Sequence, residues 1–239
     1  MKISLIIPAY NEEKYIGECL KSAIKNGEKL FEIIVVNNAS TDNTEEVVKS
    51  FMKYSSNIRI VNEPRKGLTK ARQRGLNEAG GDIIAHIDAD TKMPRGWVEK
   101  VKRNFEKNSN IVCVSGPYIY YDQSFIGKMF VWIYWLFAYI MYFLLGYMAV
   151  GGNFAVKKDA VEKIGGFDEN ISFYGEDTDI ARRLSRVGKV KFFLNLYMYT
   201  SARRLKNEGV AKTAIKYLIN FVSEVFFKKP ATGDYKDIR

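Results

Sequence analysis

The chain is poor in the residues that build disulfide frameworks and metal clusters. Its 239 residues include two cysteines and a single histidine. Cys19 falls in a helical pattern and Cys113 in a strand pattern, and no metal-ligand spacing joins them, which indicates two reduced core thiols. Linkers rich in glycine, serine or proline, low-complexity tracts and repeats are also missing from the sequence. We therefore expect one sizeable α/β domain, or two small ones, working in the cytoplasm.

The first 120 residues alternate between strand and helix patterns. Residues 1–8 carry one charge and lack the length and cleavage site of a signal peptide, so they predict a first strand. Asp42, with Glu45 three residues later, predicts a helix N-cap with a capping box. Strands are predicted over 3–8, 32–36, 58–61, 83–87 and 111–115, and helices over 12–25, 44–54, 69–79 and 96–106.

This alternation predicts a mostly parallel sheet with right-handed crossovers and helices on both faces, the Rossmann-like arrangement. The loops that follow strands one, two and four then lie at one edge of the sheet. They carry polar residues, namely Tyr10, Asn11 and Glu12, then Asn37 and Asn38, then Asp88 and Asp90. Polar loops that meet at the carboxyl edge of such a sheet predict a nucleotide site.

Two carboxylates one residue apart, Asp88 and Asp90, end the apolar run 83–87. Mg²⁺ and Mn²⁺ are held in proteins by one or two carboxylates together with substrate phosphates. The pair therefore predicts a metal-bridged nucleoside diphosphate, although two solvated turn carboxylates would give the same pattern.

The positive charge is concentrated late in the chain. The net charge is +10, and residues 180–229 alone hold twelve Lys and Arg against two Glu. Such a bias attracts phosphates, anionic lipid or nucleic acid, or it is a solvated basic surface. No signature of nucleic-acid binding accompanies it, so we expect no nucleic-acid partner.

Residues 129–150 contain no charge and nine aromatic side chains. Length and composition meet the criterion for a transmembrane helix candidate. One crossing would separate the loops before it from the acidic cluster after it, so we expect an interfacial or re-entrant segment, with a buried core helix as the alternative. Residues 209–227 predict a second candidate, a basic amphipathic helix that lies on an anionic membrane or packs as an ordinary helix.

A second acidic cluster, Glu176-Asp177-Thr178-Asp179, opens a helical pattern. Carboxylates at a helix N-terminus are favoured by the helix dipole alone. The functional interpretation is a general base that takes a proton from an attacking hydroxyl.

Seven segments stand in a characteristic order and spacing: Ile6-Ile7-Pro8-Ala9-Tyr10-Asn11-Glu12, Val35-Val36-Asn37-Asn38-Ala39-Ser40-Thr41-Asp42-Asn43-Thr44, Gly67-Leu68-Thr69-Lys70-Ala71-Arg72-Gln73-Arg74-Gly75, Asp88-Ala89-Asp90, Gly151-Gly152-Asn153, Gly165-Gly166-Phe167-Asp168 and Gly175-Glu176-Asp177-Thr178-Asp179. Together they resemble the inverting glycosyltransferases of family 2, which have the GT-A fold. The resemblance runs from about Ile3 to Arg204.

The resemblance implies a role for each matching position. Asp90 would ligate a Mn²⁺ or Mg²⁺ ion, with Asp88 on its ribose or metal side. Asp177 would be the catalytic base, with Glu176 as the second choice. Gly151, Gly152 and Asn153 would face the acceptor. The nucleotide-sugar pocket would comprise Pro8, Ala9, Tyr10, Glu12, Asn37, Asn38, Lys70, Arg72, Asp88 and Ala89.

The chain departs from the family pattern at two places. Asn37 and Asn38 stand where acidic residues are usual, so the nucleotide base stays open between uracil and guanine. The late histidine of many relatives is missing, and Arg203 and Arg204 stand there instead, where they would hold the diphosphate. The only histidine, His86, precedes the metal motif, and we interpret it as a core or supporting residue.

The function implied is metal-dependent, inverting transfer of a sugar from a UDP- or GDP-sugar to a lipid-linked or glycan acceptor, in cell envelope glycan biosynthesis. The alternatives are a nucleotidyltransferase and a non-catalytic basic membrane-binding protein. We expect a peripheral protein on the cytoplasmic face of the membrane. The expected organisation is a GT-A domain over 1–204, with a nucleotide-sugar half (1–116) and an acceptor half (117–204), followed by a basic helix and tail (205–239).

Overall fold

The computed structural model describes residues 1–171, 175–227 and 231. The strands are β1 (Ile3–Ala9), β2 (Glu32–Asn37), β3 (Ile58–Asn62), β4 (Ile83–Ile87), β5 (Thr91–Lys92), β6 (Ile111–Ser115), β7 (Tyr118–Tyr120), β8 (Asn153–Lys157), β9 (Lys189–Phe192) and β10 (Met198–Thr200). The helices are α1 (Ile16–Asn26), α2 (Thr44–Met52), α3 (Leu68–Glu78), α4 (Trp97–Lys107), α5 (Phe125–Leu145), α6 (Lys158–Lys163), α7 (Glu176–Leu184), α8 (Arg203–Glu208) and α9 (Val210–Phe227).

The main sheet has seven strands in the order β3-β2-β1-β4-β8-β6-β9. Six strands share one direction, and β8 alone runs against its neighbours β4 and β6. The central strands are rich in isoleucine and valine and buried on both faces, as parallel sheets covered by helices require. The predicted mostly parallel sheet is confirmed, and each of the five predicted strands is present to within one residue at either end.

Helices cover both faces of this sheet and create two hydrophobic cores. On one face α1 and α4 pack through residues such as Leu20 and Trp97, and on the other α3 and α7 pack through Leu76 and Ile180. Cys19 and Cys113 are free, buried thiols, as predicted. His86 on β4 is fully buried and stacks on the ring of Phe154 at 4.7 Å, which confirms it as a core residue.

The capping box predicted at Asp42 is wrong. Helix α2 begins at Thr44 with Asn43 as its N-cap. The Asp42 carboxylate instead accepts hydrogen bonds from the backbone N–H groups of Thr44 (3.0 Å) and Glu13 (3.1 Å), so it ties the start of α2 to the loop after β1. Glu45 pairs with Lys49, one helical turn onward, rather than reaching back.

A second sheet has three strands in the order β5-β10-β7, and α5 follows β7 in the chain. One side of α5 packs through Trp135, Ala138 and Tyr142 against a cluster that includes Phe192. The stretch Gly127–Leu145 is long and apolar enough to cross a membrane, and only 18% of it is buried within the protein. The end of the predicted C-terminal tail, 228–230 and 232–239, lies outside the described residues.

Candidate active site

A cavity of about 770 Å³ opens at the carboxyl edge of the main sheet. Its floor is the ends of β1 and β4, because the polar residues after these strands point into it. The antiparallel strand β8 pairs Ile87 with Asn153, so the loop that precedes β8 reaches the same edge. The N-terminus of α7 and residues of α5, α8 and α9 complete the wall.

Arg72 is the central positive charge of the cavity. Its guanidinium is almost fully buried, donates a 2.6 Å hydrogen bond to the Gly151 carbonyl, and forms ion pairs with Glu176 and with Asp88 at 3.3 Å. Burial raises the pKa of the Glu176 carboxyl, and the charge of Arg72 opposes that shift. A buried charge is stable only when paired and hydrogen-bonded, so these groups fix one another.

A second group of paired charges surrounds Asp90. Both terminal nitrogens of Arg203 pair with Glu12, at 2.6 and 2.8 Å, while its Nε lies 2.9 Å from an oxygen of Asp90. Burial raises the pKa of Asp90 to about 7, Arg203 opposes the shift, and the charges of Asp88 and Glu12 add to it. Arg203 thereby ties α8 to the loops that follow β1 and β4.

Asp177 is the carboxylate of the α7 N-terminus that stays partly exposed in the cavity. One of its oxygens accepts a hydrogen bond from the Gly151 N–H (3.1 Å) and the other from the Thr178 N–H (2.8 Å). Burial raises its pKa, and Arg72 opposes the shift. Glu176, its neighbour, is buried in the ion pair with Arg72.

The glycine pair at 151–152 allows these groups to approach. A Cβ at Gly152 would overlap the carboxylate of Asp88 and the hydroxyl of Tyr118, and a Cβ at Gly151 would lie 2.6 Å from Glu176. Side chains here would push the carboxylates apart. The need for glycine is therefore steric at both positions.

Most of the predicted site residues line this cavity. They are Pro8, Ala9, Tyr10, Glu12, Asn38, Arg72, Asp88, Ala89, Asp90, Gly151, Gly152, Glu176, Asp177, Arg203 and Arg204. The Asn38 side chain is held in the wall by hydrogen bonds to the backbone of Glu63, Arg65 and Gly67. Arg204 also contacts Glu208, at 3.4 Å.

Three predicted residues, all within the described chain, lie outside the cavity wall: Asn37, Lys70 and Asn153. The Asn37 side chain donates a hydrogen bond to Glu45 on α2 and accepts one from the backbone N–H of Ser40. Asn153 is fully buried, where it accepts a hydrogen bond from Trp97 Nε1 and donates to the carbonyls of Gly116 and Leu196. The position predicted to face the acceptor therefore carries a side chain that braces the sheet.

Sequence reasoning missed several wall residues. The Tyr118 hydroxyl donates a 3.0 Å hydrogen bond to Asp88, and Lys66 adds a cation beside the Tyr10 ring. Tyr118 belongs to a short aromatic run whose partner is distant in sequence, so no local pattern indicates its role. The apolar segment 129–150 is expected near the acceptor side, but which of its residues face the cavity, Trp135 and Met141 among them, depends on tertiary packing.

The residues present fit a divalent cation. Asp88 and Asp90 supply hard oxygen donors at a site where diphosphate oxygens would supply the others. Across the described residues no group of three or more His, Cys, Asp or Glu side chains gathers as a metal site. Any ion here would therefore depend on substrate oxygens for much of its coordination.

The chain belongs to glycosyltransferase family 2, since the family model described as glycosyl transferase family 2 matches residues 4–165. A second model, described as the N-terminal domain of galactosyltransferase, matches 137–203. The family resemblance predicted from the sequence motifs is therefore confirmed.

Curated relatives are larger proteins. Glycosyltransferase GlyA of Streptococcus pneumoniae is 33% identical over 123 residues, which are 52% of this chain and 18% of GlyA. Hyaluronan synthase of Pasteurella multocida is 28% identical over 222 residues, 92% of this chain and 22% of the synthase. The chain spans about a fifth of the length of these two relatives.

Solved structures of similar fold include GT-A enzymes with bound ligands. The mannosyltransferase PcManGT of Pyrobaculum calidifontis, in complex with GDP-Man and Mn²⁺, matches with a TM-score of 0.73 at 19% identity, covering 98% of this chain and 65% of that one. Glucosyl-3-phosphoglycerate synthase of Mycobacterium tuberculosis, in complex with Mn²⁺ and UDP-Glc, matches with a TM-score of 0.66 at 21% identity, covering 97% of this chain and 81% of that one. The predicted GT-A fold is confirmed.

Proposed function

We propose that this glycosyltransferase moves a sugar from a UDP- or GDP-sugar to an acceptor hydroxyl or phosphate, with inversion at the anomeric carbon. The observation that carries the proposal is the division of labour among the cavity carboxylates. Asp88 and Asp90 lie at the strand edge, whereas Asp177 lies at the start of α7 and stays partly exposed. One group can assist the leaving diphosphate while another takes the acceptor proton.

Asp177 is the better base of the Glu176-Asp177 pair. Its two oxygens are oriented by backbone N–H groups, and burial raises its pKa, which improves it as a proton acceptor near neutral pH. Glu176 is buried and already paired with Arg72. A base in this place serves a single displacement, which inverts configuration and needs no enzyme nucleophile.

The leaving diphosphate would be held by the cationic part of the wall. Arg203, Arg204 and Lys66 line the cavity, and guanidinium groups bind phosphate oxygens in a bidentate manner. Mn²⁺ or Mg²⁺ held by Asp90 and Asp88 would supply Lewis-acid stabilisation of the departing charge. Arg203 contacts Asp90 directly, so the guanidinium would turn from that carboxylate towards the phosphates.

The acceptor in this proposal is lipid-linked or a membrane-proximal glycan, and the enzyme is attached to the cytoplasmic face of a membrane for cell envelope glycan synthesis. Supporting this choice, apolar side chains of α5 and α9, such as Met141 and Phe221, line the cavity that holds Asp177. An apolar wall of this kind suits the hydrocarbon part of a lipid-borne acceptor. Neighbouring structures with bound GDP-Man and UDP-Glc support the donor class.

Donor hydrolysis tests the proposal without knowledge of the acceptor, because water can replace the hydroxyl. UDP-Glc, UDP-GlcNAc and GDP-Man are each incubated with Mn²⁺, and the released sugar is followed by proton NMR. We expect one donor to be cleaved, with the first-formed anomer opposite to that of the donor. Release of the retained anomer would contradict a single displacement.

Two substitutions then separate the roles. Asp177→Asn should lower hydrolysis by about a hundredfold or more and leave donor affinity nearly unchanged. Asp90→Asn should weaken the Mn²⁺-dependent binding of the nucleoside diphosphate, measured by calorimetry. Glu162→Gln, an exposed carboxylate on α6, is the matched control. Normal hydrolysis by Asp177→Asn would remove it as the base.

A further inference from the structure

The outer face of α5 is apolar and exposed. Eight large side chains on this face are 49% to 74% exposed, and their spacing places them on one stripe of the helix: Met129, Trp132, Ile133, Leu136, Phe137, Ile140, Phe143 and Leu144. The opposite stripe, Trp135, Ala138 and Tyr142, is buried against the protein. A helix that is apolar all round is normally buried on every side, so the outer face of α5 requires an apolar environment outside the protein.

Helix α9 buries several polar side chains and exposes apolar ones. Its polar residues Thr213, Asn220 and Glu224 are buried on the side that faces the protein. Ile215 and Ile219 lie on the opposite stripe and are 58% and 48% exposed. Water would favour the opposite orientation, so this helix too is built for an apolar exterior.

The two helices pack on a common cluster. Phe221 of α9 packs on the same cluster as Trp135 of α5. The sequence of α5 contains no acidic residue, and the single acidic residue of α9, Glu224, is buried beside Arg182. The exposed charges that these helices carry are lysines, such as Lys128 and Lys212. An apolar surface bordered by cations matches an anionic lipid bilayer.

We propose that the outer faces of α5 and α9 together insert into the headgroup region of an anionic bilayer, with both helices parallel to its plane. Phe137 is exposed and also lines the active-site cavity, so the cavity opens beside this surface. The sugar-accepting group of a lipid-borne acceptor would then reach Asp177 while its hydrocarbon tail stays in the membrane. This last step rests on the proposed function, whereas the docking of the two helices does not.

Insertion in the plane agrees with the packing better than a crossing does. The inner stripe of α5 is held by Phe192, Met148 and Val150, which belong to the body of the domain. A membrane crossing would require the inner stripe to lose its packing against this cluster. Lying flat leaves the cluster intact and covers the exposed stripe with lipid.

Vesicle flotation tests the docking. We expect the protein to float with vesicles of phosphatidylcholine containing about one third phosphatidylglycerol, and far less with phosphatidylcholine alone. Ile133→Gln/Ile140→Gln on the outer stripe should weaken partition by about tenfold or more. Met52→Gln/Tyr54→Gln, two exposed apolar residues at the end of α2, is the matched control and should float like the parent.

Tryptophan fluorescence gives a second, positional readout. Trp132 is 62% exposed on the outer stripe, while Trp97 and Trp135 are buried. Vesicles with brominated acyl chains should quench the parent protein, and Trp132→Phe should lose most of that quenching while still floating. Undiminished quenching in Trp132→Phe would overturn the proposed orientation.

Two other outcomes would overturn the docking. One is a monodisperse monomer, free of detergent, that does not float with anionic vesicles. The other is a stable dimer that does not float, since a second copy would then cover the stripe. Calorimetric binding of UDP and of GDP, each with Mn²⁺, is measured on the same samples. Failure of the parent protein to bind either nucleotide would count against the proposed function and leave the docking result standing.

Discussion

Replacing Arg72 with methionine should destabilise the protein severely, because the change leaves buried carboxylates without their counter-charge. The side chains of Arg72 and Glu176 are only 1% and 6% exposed. Methionine keeps much of the volume but removes the charge, the ion pairs and the hydrogen bond to Gly151. Removing one partner of a buried pair costs about 3–5 kcal/mol. For a domain of this size that corresponds to a fall in Tm of roughly 6–20 °C.

The pH dependence should identify the cause. Burial raises the pKa of Glu176 to about 8 even beside Arg72, and loss of Arg72 raises it further. Between about pH 5 and 8 both folded forms hold a proton that the unfolded chain has released, so both lose stability alike as pH rises, whereas above about pH 8 only the variant still holds it. We expect the deficit in Tm relative to the parent to be nearly constant from about pH 5 to 8 and to grow from about pH 8 to 9.5.

Scanning fluorimetry across that range measures both effects. Arg72→Met/Glu176→Gln removes both charges, so it should be more stable than Arg72→Met alone at the upper end of the range. The reasoning is refuted if Arg72→Met melts within about 2 °C of the parent, or if the double variant is no better than the single one.

Two further substitutions separate bracing from catalysis. Asn153→Ala should lower Tm by several degrees, because the Trp97 N–H and the buried carbonyls lose their hydrogen-bond partner. The donor KM of the folded fraction should stay unchanged, and thermal melts and donor kinetics measure the two effects. Gly152→Ala should lower donor hydrolysis by about tenfold or more with a smaller change in Tm, because the new methyl group displaces Asp88 rather than core packing. Unchanged donor hydrolysis by this variant at a parent-like Tm would contradict the prediction.

The sequence predicts the strands of the first half well because each is a continuous buried apolar run. The run from Ile83 to Ile87, for example, is bounded by polar residues and matches β4 residue for residue. The antiparallel strand β8 was not predicted, since Asn153–Lys157 follows a long apolar helix and its partners lie distant in the chain. Local patterns indicate a strand but not its direction in the sheet.

The candidate site shows the same limit. The positions of Asp88, Asp90 and Asp177 in one cavity follow from motifs and from sheet topology. Side-chain direction does not, which is why Asn153 turned out to be a buried brace. The ion pairs of Arg203 with Glu12 cross 191 residues of chain, and no spacing rule predicts contacts of that range.

Helix α5 lies in the chain between two strands that are fixed independently of it. The chain enters α5 after β7 and reaches β8 shortly after the helix ends, and both strands are fixed by pairing within their sheets. The register of Ile87 against Asn153 holds the carboxylate edge whatever lies between. The outer stripe of α5 can therefore vary while the donor side keeps its geometry, whereas the side chains of α5 that line the cavity, such as Trp135 and Met141, are tied to the site. This makes the outer stripe a natural place to engineer the surface on which the enzyme works.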